Sequence, residues 1–412
     1  MPETIELDLT AMAHGGAALG RYGGQVLFVP YAIPGERVRV EITEAHARWA
    51  HTRLLEVVEP SMHRVEPPCP YFGPGKCGGC QWQHIAYDAQ GEFKRQVVTD
   101  QLARVGGLRD VAVQDTIGAA EPWSYRNHVQ FSVTPDGQLG FLRSDSHDIL
   151  PVKECLIIDP LLDDLWAALD MEWPQLYRLS LRCGSATGDL MAIFELDHYE
   201  DFDIEVDFPV SCVLRLADGE VVVLMGNPYL VEHVGGREYR VSAGSFFQVN
   251  TAAAGALVAL VRDYLAPRGG ETLVDLYCGV GLFGLSLSDQ VKRVVGVEQD
   301  PSALADFEHN AQGLGSVERI EGAVEMALPP VQGPVDLLVL DPPRAGAGAQ
   351  VVGEIARLSP RRVVYVSCDP ATLARDAHLL VEGGYQLEEV QPVDLFPQTF
   401  HVESVALFVR SA

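Results

Sequence analysis

Cys368 ends an unbroken apolar run, Val363-Val364-Tyr365-Val366, with only Ser367 between them, and Asp369-Pro370 follows it directly. A thiol delivered there by a buried strand can act as a nucleophile. Asp369 can cap a helix that Pro370 opens, and the dipole of that helix favours thiolate over thiol. A buried structural cysteine is the plainer alternative. Upstream, Gly279-Val-Gly281-Leu-Phe-Gly284 opens a helical stretch directly after an apolar strand, and Glu298 follows Gly279 by nineteen residues. Glycines at this spacing let backbone approach a ligand, and an acid at that distance suits ribose hydroxyls, so the pattern predicts a nucleoside-bearing cofactor. A dinucleotide and S-adenosylmethionine both fit, and the acidic and aromatic Asp275-Leu-Tyr277 suits a zwitterionic sulfonium better. Asp341-Pro342-Pro343-Arg344 ends a further apolar run, where paired prolines fix a turn that presents Asp341 to the same cleft.

A second group of residues points to metal. Cys77 and Cys80 are separated by two glycines, seven residues lie between Cys69 and Cys77, and Cys155 is the next cysteine along the chain. These four thiols can converge on tetrahedral zinc or an iron-sulfur cluster, and thiolate ligation alone does not separate the two. Cys183 and Cys212 have no partner at ligand spacing and read as core, while Cys278 is likewise unpartnered.

The elements that must position these residues divide the chain into segments of different rhythm. Up to residue 60, apolar and polar residues alternate, as in Ile5, Leu7 and Leu9 or Val38, Val40 and Ile42, with glycine pairs at the turns. This predicts a small OB-like barrel, with Arg37, Arg39, Arg48, Trp49 and Arg53 as a candidate oligonucleotide surface. Residues 61–244 begin with a proline-rich linker and the cysteine loop. A helical stretch from Trp82 to Gly106 follows, with Lys94, Arg95 and Arg104 among its polar positions, and it is placed to pack on the final domain. Ser124-Tyr125-Arg126-Asn127-His128 then opens a part made mainly of strands. From residue 245 to 412, apolar strands at Thr272–Leu276, Val294–Val297, Val335–Leu340 and Arg362–Ser367 alternate with helices. That is the rhythm of a doubly wound, Rossmann-like α/β sheet, which binds ligands at the carboxyl ends of its strands. The fold class expected is therefore α/β, with a β-barrel before it and a central, mainly β domain carrying a metal cluster.

The chain has 412 residues, eight cysteines and a formal net charge of -27. The charge argues against non-specific wrapping on nucleic acid but leaves room for a confined RNA site. The opening Met1-Pro2-Glu3 lacks a signal-peptide pattern, and no apolar run is long enough to span a bilayer, so a cytoplasmic protein with thiols used for metal or catalysis is expected.

Tyr365-Val-Ser-Cys368-Asp-Pro-Ala-Thr-Leu-Ala-Arg-Asp376 and Leu395-Phe-Pro-Gln-Thr-Phe-His-Val-Glu403 resemble two segments that mark the RNA uracil-5-methyltransferases. Gly244-Ser-Phe-Phe-Gln248-Val-Asn250, the Asp275 glycine segment and Asp341-Pro-Pro-Arg344 are similar to that family as well. The amino-terminal module resembles its TRAM domain, and Cys69, Cys77, Cys80 and Cys155 fall where its iron-sulfur branch carries cluster ligands. The resemblance implies that Gln248, Tyr277, Glu298 and Asp341 bind S-adenosylmethionine, that Cys368 is the nucleophile and that Glu403 is the base. It further implies a 4Fe-4S cluster, with zinc as the alternative, and a monomer acting on 23S ribosomal RNA, with transfer RNA as the alternative substrate. A cluster-bearing RNA-binding protein without catalysis, and an oxidoreductase using NAD and iron-sulfur, are the competing classes.

Overall fold

The structure, a computed structural model, describes residues 4–169, 176–197, 205–328 and 333–411; Met1-Pro2-Glu3 lies outside them. The chain opens with a closed barrel of β1 (Thr4–Met12), β2 (Ala18–Tyr22), β3 (Gln25–Val29), β4 (Arg37–Ala45) and β5 (Trp49–Glu59), in the order β1-β2-β3-β5-β4. Ile5, Leu7, Leu9, Val38 and Val40 point inward and are buried, as their alternation requires. The helix α1 (Tyr87–Arg104) starts five residues later than the sequence pattern suggests, because Trp82 to Ala86 form a turn in which the Ile85 N–H donates to Trp82 O. Lys94 is not on a solvated face of this helix: its side chain is fully buried.

After the two-residue strand β6 (Ala112–Val113) comes a seven-stranded sheet. Its elements in chain order are β7 (His128–Val133), β8 (Leu139–Leu142), β9 (Ile149–Pro151), the helix α2 (Pro160–Ala167), β10 (Arg178–Cys183), β11 (Leu190–Leu196), β12 (Ser211–Leu216) and β13 (Val221–Met225), arranged as β13-β12-β11-β10-β7-β8-β9. Cys183 and Cys212 are buried in its core. A hairpin of β14 (Tyr229–Val234) and β15 (Arg237–Ser242) leads to α3 (Thr251–Leu265), whose N-cap Asn250 accepts from the Ala253 N–H.

The rest builds one large sheet. Its elements are β16 (Thr272–Leu276), α4 (Leu282–Ser286), β17 (Arg293–Glu298), α5 (Pro301–Asn310), β18 (Ser316–Glu321), α6 (Val324–Ala327), β19 (Leu337–Leu340), α7 (Gly348–Leu358), β20 (Arg362–Ser367), α8 (Pro370–Glu382), β21 (Tyr385–Val393) and β22 (Glu403–Arg410). The order is β18-β17-β16-β19-β20-β22-β21-β6, parallel from β18 to β20, with β22 antiparallel to both β20 and β21. Val364 and Val366 pack on the α3 side while Val363 and Tyr365 pack on the α7 and α8 side, which is why this strand is apolar without a break. The order reverses between β16 and β19, and the cleft expected at such a reversal lies at their carboxyl ends.

Candidate active site

Position in the sheet brings Cys368 and Glu403 together. β20 and β22 pair with Ser367 opposite Ser404, so one further step in the same antiparallel register sets Cys368 against Glu403. Because β22 runs antiparallel, its first residue lies at the carboxyl end of its parallel neighbours, where Asp341 emerges from β19. Asp341 donates its N–H to Leu276 O at 3.3 Å, and Gln248 Nε2 donates to Asp341 Oδ2 at 3.3 Å. Asn127 holds the Gln248 segment in place: its Nδ2 donates to Gln248 O at 3.1 Å and to Glu232 Oε1 at 2.9 Å.

The glycine-rich turn is organised by two acids. Glu298 accepts from the N–H groups of Gly279 at 3.0 Å, Gln299 at 2.7 Å and Asp300 at 2.9 Å, which leaves its carboxylate oriented and still able to accept from a hydroxyl. Asp275 accepts from Gly284 N at 2.7 Å through Oδ2, while Oδ1 is buried without a partner. A Cβ at Gly284 would lie 2.8 Å from Asp275 Oδ2, so only glycine allows this close approach. Tyr277 sits at φ 58, a strained conformation for a bulky residue at the start of the turn.

Electrostatically the site is acidic, with Glu403 and Asp275 buried. Burial pushes the Cys368 thiol up to about 11, Glu403 and Asp341 add to the rise, and Arg344 partly offsets it. Burial and Asp341 raise Glu403 well above the usual carboxylate range, and burial raises Asp341 too. Asp275 rises to about 8, again by burial first, against the Gly284 N–H and with Asp341 and Glu298 adding to the rise. The expectation of a resting thiolate at Cys368 is therefore corrected. The α8 N–H groups of Ala371 and Thr372 are taken by the Asp369 carboxylate, both at 2.9 Å, and carboxylates surround the thiol instead. Burial alone would raise Asp369, but His14 and those N–H groups outweigh it and hold the group at about 2.

The loop from Leu395 to His401 leads into Glu403 and is held from several sides that spacing did not reveal. Lys94 Nζ bonds Asp394 Oδ1 at 2.5 Å and donates to Phe396 O at 3.1 Å. Gln90 and Gln398 exchange side-chain and backbone bonds, the N–H groups of Gln81 and Trp82 donate to Gln398 O, and Tyr125 Oη donates to Pro397 O at 3.1 Å. From the barrel, His14 Nε2 lies 3.4 Å from Asp369 Oδ2, and Trp82 Nε1 donates to Gly16 O at 3.0 Å. Asp376 accepts from Ala347 N and Tyr365 Oη, both at 2.8 Å, which ties the turn after Asp341 to α8.

Cys69, Cys77, Cys80 and Cys155 line one cavity of about 280 Å³ together with Tyr71, Phe72 and Gln83, and all four are free thiols. Among the described residues no group of three or more His, Cys, Asp or Glu side chains is arranged to hold a metal ion. The arrangement shows neither the expected iron-sulfur cluster nor its zinc alternative. Arg37, Arg39 and Arg53 of the expected oligonucleotide surface are engaged by Asp8, Glu59, Glu6, Glu56 and Glu41. Among the described residues no helix is long and apolar enough to cross a membrane.

A family model described as tRNA (Uracil-5-)-methyltransferase matches residues 202–321 and 333–411, and one for the TRAM domain matches residues 3–55. A protein of Streptomyces avermitilis named an uncharacterized RNA methyltransferase is 39% identical over 432 residues, covering 100% of this chain and 99% of its own. One of the same description from Thermosynechococcus vestitus is 39% identical over 449 residues, covering 99% and 98%. The solved structure of Pyrococcus abyssi tRNA (uracil-54, C5)-methyltransferase in complex with S-adenosyl-L-homocysteine is similar with a TM-score of 0.78 at 26% identity, over 98% of this chain and 100% of that one.

Proposed function

The chain belongs to the RNA uracil-5-methyltransferase family, and on that premise we propose that it methylates carbon 5 of a specific uridine in 23S ribosomal RNA. The observation that carries this reading is the register that sets Cys368 against Glu403 at the carboxyl end of the sheet. S-adenosylmethionine supplies an electrophilic methyl group on a sulfonium, and Gln248, Tyr277, Glu298 and Asp341 are the residues that hold it. Carbon 5 of uracil is too weak a nucleophile to take that group unaided. Cys368 Sγ bonds to carbon 6, the electrons of the 5,6 double bond move toward O4, and carbon 5 of the resulting enolate becomes nucleophilic. Once carbon 5 carries the methyl group, Glu403 takes its remaining proton, the double bond re-forms and the bond from carbon 6 to Sγ breaks. The buried acids keep the resting thiol protonated, so its proton passes to solvent as the Sγ–C6 bond forms, and Glu403 must likewise be ionised before it takes the carbon-5 proton. The target must be unstacked to reach so enclosed a thiol, which suits a loop or a locally refolded segment.

In the same reading Cys69, Cys77, Cys80 and Cys155 hold an iron-sulfur cluster of the 4Fe-4S kind. Their common cavity supports this. The cluster's contribution would be structural, joining the loop at 69–80 to the segment around Cys155. Ribosomal RNA is named because a TRAM barrel beside four such cysteines resembles that branch of the family. The likeness to a transfer-RNA enzyme favours transfer RNA as the second reading.

Intact mass spectrometry after incubation with S-adenosylmethionine and 5-fluorouridine transcripts of 23S fragments and tRNA tests the methyl transfer and the class of RNA. Fluorine does not leave carbon 5 as a proton does, so a covalent adduct should persist in the wild type and be absent from Cys368→Ala. With unmodified uridine, Glu403→Gln should accumulate the adduct that the wild type resolves. No adduct on any transcript, in protein that binds the cofactor, would sink the mechanism, and the transcript that reacts decides between the two RNAs.

A further inference from the structure

The central sheet grips the segment that carries Gln248 and Asn250 by four of its backbone carbonyls, and no step of the reaction uses that grip. β7 and β10 pair with Arg182 opposite His128, and the Cys183 N–H donates to Asn127 O at 2.9 Å, which extends the ladder back to Asn127. Arg182 and Asn127 therefore come from the same end of the central sheet. Arg182 Nη1 donates to Ser242 O at 3.0 Å and to Ser245 O at 3.1 Å. Asn127 takes two more carbonyls: its Nδ2 donates to Gln248 O at 3.1 Å and its backbone N–H to Val249 O at 2.9 Å.

The two ends of the segment differ in how else they are held. At its start Asp306, fully buried on α5, accepts from Ser242 N at 2.6 Å, Ser242 Oγ at 2.7 Å and Ser245 Oγ at 2.6 Å. At its end, among the described residues, no group other than Asn127 donates to Gln248 O. The Asn127 amide is itself oriented. Its Nδ2 also bonds Glu232 Oε1 and Thr251 Oγ1, both at 2.9 Å, and Thr251 Oγ1 donates to Glu232 Oε2 at 3.3 Å. Asn127 and Glu232 are both buried, so a bond lost here leaves its partner unpaired. Holding the carbonyls of residues 248 and 249 fixes two successive peptide planes, with Gln248 on one side of Val249 and Asn250 on the other. Gln248 Nε2 reaches Asp341 Oδ2 at 3.3 Å on the cofactor side, and Asn250 Nδ2 reaches Leu395 O at 3.2 Å on the loop that leads to Glu403.

We propose that Asn127 is a positioning residue for methyl transfer, through which the central sheet directs Gln248 at the cofactor and Asn250 at the catalytic loop together. This rests on the reading of Gln248 as a cofactor residue and adds what aims it.

Calorimetric titration of the full chain with S-adenosylmethionine, beside thermal melts, tests this. Asn127→Ala should weaken cofactor binding about tenfold and lower the melting temperature. With cofactor saturating, its turnover on the reactive transcript should still be about tenfold below wild type, because Asn250 shifts as well. The double variant Asn127→Asp with Glu232→Gln separates positioning from plain stability. It restores a bond between the two positions with donor and acceptor exchanged, yet it offers Gln248 O no donor. Its melting temperature should recover while its cofactor affinity and turnover stay low. Recovery of affinity and turnover along with the melting temperature would overturn the proposal, and so would wild-type affinity and turnover in Asn127→Ala. Gln248→Ala tells this failure from that of the underlying reading: wild-type affinity there would overturn the cofactor role of Gln248 itself.

Discussion

The Asp369 carboxylate takes the N–H groups at the start of α8, so the positive end of that helix acts on Asp369 and not on the Cys368 thiol beside it. With Glu403 and Asp341 as further neighbours, Cys368 is a protected thiol at rest, less open to oxidation than an exposed thiolate. Where the thiol stands was legible in the sequence, because an apolar run that stops at Ser-Cys-Asp-Pro can hardly be anything but a strand end and a cap. Its proton was not legible, because the carboxylates that hold it there come from positions 341 and 403, brought close only by pairing. The same buried acids give the free protein a pH signature, most simply read at Asp275. Its carboxyl releases a proton near 3.8 when unfolded and at about 8 when folded. Between these values the native state holds more protons than the unfolded state, so the stability due to this group is whole below 3.8 and is lost as pH rises through about 8. Thermal melts of the free protein should fall from pH 5 to pH 9, and Asp275→Asn should flatten that slope, gaining on wild type most at the alkaline end. Parallel slopes for the two proteins would show that Asp275 is charged in the fold.

At the scale of elements, α1 has little of the one-sided pattern expected of a surface helix, because Gln90 and Lys94 are buried along with Phe93, Val97 and Val98. A lysine among apolar residues reads as a solvated face when its partner is three hundred residues away, and here the partner is Asp394. Strands β16, β17 and β20 were legible as apolar runs closed by polar residues. β18 was not, since Ser316–Glu321 is an edge strand whose residues are mostly exposed and whose charges break any run. β22 gave no sign of its direction, yet that direction is what presents Glu403 to Cys368. The buried pair between α1 and the loop after β21 can be tested as a pair. Lys94→Met leaves Asp394 buried without a counter-ion and should cost about 3–5 kcal/mol, whereas Lys94→Met with Asp394→Leu should recover most of that loss. Methyl transfer should not recover in the double variant, because Phe396 O still lacks the Lys94 donor that fixes the loop. A single variant that unfolds at the wild-type denaturant midpoint would show that this pair does not anchor α1.

For the whole molecule, the loop before Glu403 is the point on which separate parts of the chain converge. The cysteine loop reaches it through Gln81 and Trp82, the entry to the central sheet through Tyr125, the α3 cap through Asn250 Nδ2 on Leu395 O at 3.2 Å, and the barrel through Gly16. None of these contacts has a local signal, since each joins a backbone carbonyl or a glycine to a residue far along the chain. Gly16 is the most demanding of them. It sits at φ +87, and a Cβ there would lie 2.8 Å from both Cβ and Cδ1 of Phe400, whereas Gly15, at φ +93, has nothing within 4 Å of its Cβ position. Alanine at either position carries a similar backbone strain of about 1–2 kcal/mol, and only alanine at Gly16 also pushes on Phe400. Both variants should keep the affinity for S-adenosylmethionine, and Gly16→Ala should lose more stability than Gly15→Ala because Phe400 must also move. Gly16→Ala alone should slow methyl transfer about tenfold or more, by shifting the segment that carries Glu403. Hydrogen exchange should quicken at residues 396–401 in that variant and not in its neighbour. Equal turnover and equal exchange in the two would mean that the barrel rests on the catalytic loop without helping to position it.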